Sequence, residues 1–105
     1  MVLVMELSVE KHDGKNFIKL GDHFEFNDHQ AFRDSYKDLK TGESVIIDFR
    51  HLSYMDSSGL GMLMAMRKSL GGNGSHIQFI NCNEFVLKIF YMVNFEKLFV
   101  IPASV

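Results

Sequence analysis

Two adjacent hydroxyls, Ser57 and Ser58, stand where a strand-like run hands over to a helix-like run. The run before them, Ser44-Val45-Ile46-Ile47-Asp48-Phe49, is β-branched and apolar, as a buried strand should be. The run after them, residues 60–70, is rich in Leu and Met, which favour helix. The first N–H groups of a helix have no intrahelical partner, and its dipole is positive there. Such a junction suits a phosphate, either as a bound group or as a covalent modification of serine.

The elements that position these serines can be read outward from them. Asp56 is the expected N-cap, its carboxylate accepting from the N–H groups of Ser58 or Gly59. At about 100° per residue, Gly59, Met62, Leu63, Met66 and Leu70 share one arc, the expected core face. Leu60 and Met64 fall on a flank beside Arg67 and Lys68. That flank reads in two ways: a docking edge next to the serines, or a wide core face from which Arg67 snorkels out. Gly59 and Gly61 each cost a helix about 1 kcal/mol. Either something approaches the backbone there, or strand and helix pack tightly. Met62, Met64 and Met66 cluster on this helix and Met92 lies near the chain's end; methionine surfaces adapt to several partners, though Met62 and Met66 are expected to fill the core.

The segment Met55-Asp56-Ser57-Ser58-Gly59-Leu60-Gly61 resembles the signature of STAS domains, and most closely of bacterial anti-sigma factor antagonists. That motif is Asp-Ser-Ser/Thr-Gly-Leu-Gly at a helix start, and here it is complete. The resemblance extends to Val45-Ile46-Ile47-Asp48 before the motif, and to Val86-Leu87-Lys88-Ile89-Phe90 and Leu98-Phe99 after it. One departure is Asn94, where many relatives carry Gly; Asn tolerates the same left-handed conformation. The resemblance implies that Ser58 is the phosphoacceptor, with Ser57 the lesser candidate. It implies a partner surface of Asp56, Ser57, Ser58, Gly59, Leu60, Gly61, Met64, Arg67 and Lys68. It implies a partner switch. The dephosphorylated domain binds an anti-sigma factor or a GHKL-type serine kinase, phosphorylation releases that partner, and a PP2C-type phosphatase restores binding. The alternative within the family is a STAS adaptor that is never phosphorylated, as in phospholipid-transport ABC complexes. The paired Ser57-Ser58 favours the switch.

Composition bounds the rest. The chain has 105 residues, and a single domain over 1–105 is expected. A chain this long buries roughly 65% of its unfolded surface and needs no staple. Net charge is −2 and the cations are scattered, which argues against a nucleic-acid partner. The apolar start, Met1-Val2-Leu3-Val4-Met5, lacks the basic flank of a signal peptide. Glu6 and Glu10 end it far short of the ~20 residues a span needs, so a soluble cytoplasmic protein without a membrane partner is expected. The only cysteine, Cys82, cannot form an internal disulfide. It precedes a helix cap, where a thiolate could be favoured, but a partly buried inert thiol is the plainer reading.

Enzyme chemistry finds no footing. The histidines His12, His23, His29, His51 and His76 show no i, i+4 pair and none neighbours Cys82, so no metal is expected. The Gly-x-Ser-x-Gly of a hydrolase elbow is missing. Gly71-Gly72-Asn73-Gly74 lacks the Lys-Ser/Thr of a phosphate-binding loop and reads as a turn. No catalysis and no cofactor are expected.

The pattern along the chain predicts a first strand through Val2, Val4, Leu7 and Val9, a hairpin turn at Asp13-Gly14 and a second strand over 16–20. Asn27, with Gln30 as capping-box partner, is expected to open a helix bearing Ala31, Phe32, Tyr36 and Leu39 and ending at Thr41-Gly42. A strand over 76–80 follows the motif helix. Asn83 then caps a helix through Val93, with Val86, Ile89, Phe90 and Val93 on one face. An extended segment over 98–101 closes the chain. Strands alternating with helices imply parallel pairing. The expected fold is α/β and STAS-like: a mixed sheet of four to five strands with three to four packed helices.

Overall fold

A computed structural model describes residues 7–102. The strands are β1 (Ser8–His12), β2 (Lys15–Lys19), β3 (His23–Phe24), β4 (Ser44–Asp48), β5 (Tyr54–Met55) and β6 (His76–Ile80). The helices are α1 (His29–Tyr36), α2 (Ser57–Ser69) and α3 (Glu84–Met92), with short 3-10 turns at Phe26–Asp28, Gly72–Gly74 and Phe95–Lys97. The main sheet runs β1-β2-β4-β6, antiparallel at β1–β2 and parallel elsewhere. This is the expected α/β mixed sheet.

The hairpin forms because Asp13 and Gly14 both accept positive φ, 52° and 77°, as a two-residue turn between twisted strands demands. Val2 and Val4 lie outside the described residues. In the parallel strands, side chains alternate. Ile18, Val45, Ile47, Ile77 and Phe79 are buried in one cluster with Phe32 of α1, Leu63 and Met66 of α2, and Val86 and Phe90 of α3. The helices therefore share one face of the sheet. Phe79 is the hub of an aromatic cluster, its ring centroid 4.9 Å from Phe49, 4.9 Å from Phe90 and 4.5 Å from Phe99. The chain closes through Val100, which bridges to Gln78 beside β6.

Four expectations need correction. Asn27 does not cap α1; it lies inside the 3-10 turn Phe26–Asp28, and Asp28 is the N-cap residue. The Asp28 carboxylate accepts the Glu25 N–H at 2.8 Å, whereas Gln30 donates forward to Asp34. Two short polar residues in a row, Asn27 and Asp28, offer equivalent starts in the sequence, and burial of Asp28 chose between them. Helix α1 ends at Tyr36 rather than at Gly42. The Leu39 N–H bonds back to the Tyr36 carbonyl at 3.0 Å, an i→i+3 turn that closes the helix there, and a separate turn, in which the Glu43 N–H bonds to the Lys40 carbonyl, follows at Thr41-Gly42. Val93 is 40% exposed, because Asn94 adopts the left-handed conformation (φ 61°) and ends α3. Finally, β3 and β5 were not expected; they pair in parallel, His23 beside Tyr54 and Phe24 beside Met55.

Candidate functional site

The strand pair β3–β5 is the floor on which the serine turn is laid. Tyr54 and Met55 take their register from His23 and Phe24, and the Asp56 N–H points to the Phe24 carbonyl at 3.4 Å. Helix α2 then begins at Ser57. Asp56 caps it as expected, one carboxylate oxygen accepting from the Ser58 N–H at 2.9 Å and the Gly59 N–H at 3.3 Å. These bonds satisfy donors that the helix leaves open.

Rotation of about 100° per residue separates the motif residues around α2. Gly59, Met62, Leu63, Met66 and Leu70 are all buried, which is the expected core face. Ser57, Gly61, Met64, Ala65 and Lys68 are exposed and share the outward face. Ser58 is half-buried on one flank. Leu60 and Arg67 are half-buried on the opposite flank.

The structure thus divides the expected docking edge. Leu60 packs against the core, whereas Met64 is 38% exposed. Arg67 donates through Nε to the Leu98 carbonyl at 3.2 Å and through Nη2 to Asn73 Oδ1 at 2.9 Å, tying α2 to the C-terminal segment. Lys68 is the cation left on the outward face. Accordingly, Met64→Ala is expected to leave melting unchanged within about 0.5 kcal/mol, as for a surface site. Leu60→Ala is expected to lower stability by at most about 2 kcal/mol, the low end for a buried Leu. Thermal melts of the pair test this; a larger loss for Met64→Ala would return that side chain to the core.

The two glycines also part company. A Cβ on Gly59 would lie 2.7 Å from Met55 Cγ and 2.9 Å from a Phe24 ring carbon. Tight packing of helix on floor is the reason for that glycine. A Cβ on Gly61 would meet nothing within 4 Å, so the backbone there is open to an approaching partner. Gly59→Ala is expected to cost about 1–3 kcal/mol by overpacking. Gly61→Ala is expected to be neutral or stabilising by up to about 1 kcal/mol through helix propensity. Denaturant midpoints of the two variants give the comparison, and equal losses would sink it.

Two exposed aromatic side chains carry no signal in the sequence. Tyr54, 52% exposed, precedes the motif on β5, and Phe26, 69% exposed, follows β3. Both belong to segments too short to show a periodic pattern. Cys82 is buried, and that burial, helped by the Asp48 carboxylate, pushes its thiol up to about 12. It is an inert core thiol, not a nucleophile. Among the described residues, no group of three or more His, Cys, Asp or Glu could hold a metal, and no helix is long and apolar enough to cross a membrane.

A mixed sheet with helices on one face, carrying a carboxylate-capped helix that opens on two serines, defines the class of this protein. The family model described as "Mlab, STAS domain" matches residues 7–102, and the chain belongs to the STAS domain family. It is 41% identical over 89 residues to a STAS-domain containing protein of Pseudomonas aeruginosa (strain UCBPP-PA14), covering 83% of this chain and 88% of that one. Its fold is similar to that of an anti-sigma factor antagonist from Mycobacterium paratuberculosis, with TM-score 0.78 and 18% identity over 96% of this chain and 87% of that one. It is also similar to the Bacillus cell fate determinant SpoIIAA in its phosphorylated form, with TM-score 0.68 and 18% identity over 93% and 92%.

Proposed function

We propose that this chain is a phospho-switchable antagonist of an anti-sigma factor, acting in the cytoplasm by binding and without catalysis of its own. Dephosphorylated, it binds an anti-sigma factor or a related GHKL-type serine kinase and so frees that regulator's target. Transfer of the γ-phosphoryl group of ATP to Ser58 Oγ breaks the complex, and a PP2C-type phosphatase restores it. The observation that carries this reading is the Asp56-capped start of α2. It presents Ser57 and Ser58 beside an outward face of Gly61, Met64 and Lys68, with no obstruction above Gly61. The Asp56 carboxylate engages backbone N–H groups, which leaves the Ser58 hydroxyl for a kinase. Similarity to antagonists, one of them solved with its phosphate, supports the same reading.

The half-burial of Ser58 favours a second reading, a STAS adaptor subunit of a larger complex such as a phospholipid-transport ABC system, which is never phosphorylated. Incubation with the cognate kinase and ATP, followed by site mapping, separates the two. Phosphate on Ser58 supports the switch, phosphate on Ser57 alone moves the acceptor, and no phosphate in vitro or in protein taken from cells supports the adaptor.

A further inference from the structure

The Asp28 side chain is fully buried, and its Oδ1 has no hydrogen-bond partner although Oδ2 accepts the Glu25 N–H. A buried carboxylate oxygen left unpaired is costly. The group that faces it is His23, whose Nε2 lies 3.4 Å from Oδ1. On its other side, His23 Nδ1 lies 2.9 Å from the carboxylate of Asp22, which is 80% exposed. With both ring nitrogens protonated, the imidazole meets a carboxylate on each side. In either neutral tautomer one nitrogen presents a lone pair to a carboxylate.

His23 belongs to the floor beneath the serines. It pairs with Tyr54; the next residue, Phe24, pairs with Met55, receives the Asp56 N–H and lies under Gly59. Asp28, at the start of α1, is the other anchor. We propose that His23 is a positioning residue: its imidazolium clasps β3 to the first turn of α1 and thereby holds the turn that presents Ser57 and Ser58.

The charged groups bearing on the ring are Asp22, Asp28 and Glu25, all acidic. The Asp22 hydrogen bond above all, then the charges of Asp28, Asp22 and Glu25, raise the imidazole from its ordinary value of 6.5 against the opposing effect of burial. The clasp is therefore complete below the ordinary histidine value and is lost as pH rises through the raised one. Each unit by which the clasp raises that value corresponds to about tenfold in the opening of the turn.

Amide exchange and ring titration by NMR on the whole chain, without kinase or partner, test the proposal between about pH 6 and 8.5. Protection at Asp56 and Gly59, corrected for intrinsic exchange, is expected to fall in step with deprotonation of the His23 ring. Protection at Phe79 in β6 is expected to hold. His23→Gln should leave Asp56 and Gly59 less protected at low pH and remove the pH dependence. Asp22→Asn, a change at an exposed position, should lower the ring midpoint and carry the loss of protection with it. A flat profile in the wild type, an unchanged profile in His23→Gln, or a midpoint unmoved by Asp22→Asn would overturn the clasp. The consequence for function rests on the proposed switch: partner affinity should weaken over the same interval in the wild type and not in His23→Gln. Because the exchange experiment involves no partner, the clasp and the switch can fail separately.

Discussion

Ser58→Ala is expected to bind the partner as tightly as the dephosphorylated protein under all phosphorylating conditions, whereas the phosphorylated wild type releases it. A contact fitted to a small neutral hydroxyl would have to accept about −1.5 to −2 charges and three more oxygens. If that costs about 3–4 kcal/mol, affinity falls roughly 150- to 1,000-fold. Two features of the site bear on the size of the effect. Ser58 is half-buried on the flank of α2, so added bulk must project outward toward the partner. The Asp56 carboxylate, which accepts the Ser58 N–H, adds negative charge to the same turn. The helix dipole favours the phosphate by about 0.3–1 kcal/mol, so fold and stability should change little. Ser58→Asp should bind weakly or not at all, and Ser57→Ala should still be phosphorylated. Titration calorimetry with each form measures the effect. Equal affinity for Ser58→Ala and the phosphorylated protein would overturn the switch.

The second large effect concerns the fold. Phe79→Ala is expected to destabilise the domain by about 3–5 kcal/mol, the range for a truncated core aromatic. Phe79 is fully buried and contacts the rings of Phe49, Phe90 and Phe99, so one deletion strips packing from α3 and the closing segment together. For a chain of this size the melting point falls by roughly 4–8 °C per kcal/mol. Phe26→Ala, at a residue 69% exposed, should stay within about 0.5 kcal/mol. Differential scanning calorimetry of the two variants is the measurement. A small shift for Phe79→Ala would show that the cluster repacks.

The elements whose signals are local were legible before any packing was known. The Asp13-Gly14 turn, the β-branched run of β4, the Asp56 and Asn83 caps and the core arc of α2 each depend on a residue and its near neighbours, so their physics is complete within one window. Position of the serines at a helix start belongs to this group. Features that depend on residues far apart emerged only on packing. The floor strands β3 and β5 are two residues each and exist only through pairing across some thirty positions of chain, too short for any periodicity to reveal. The same long-range packing settled which glycine is sterically required, because Phe24 and Met55 crowd Gly59 while nothing crowds Gly61. It consigned Arg67 to Leu98 and Asn73 and left Lys68 exposed, although the two cations are adjacent in sequence. It also buried Asp28 against His23, since desolvation is a property of the assembled core and not of any segment within it.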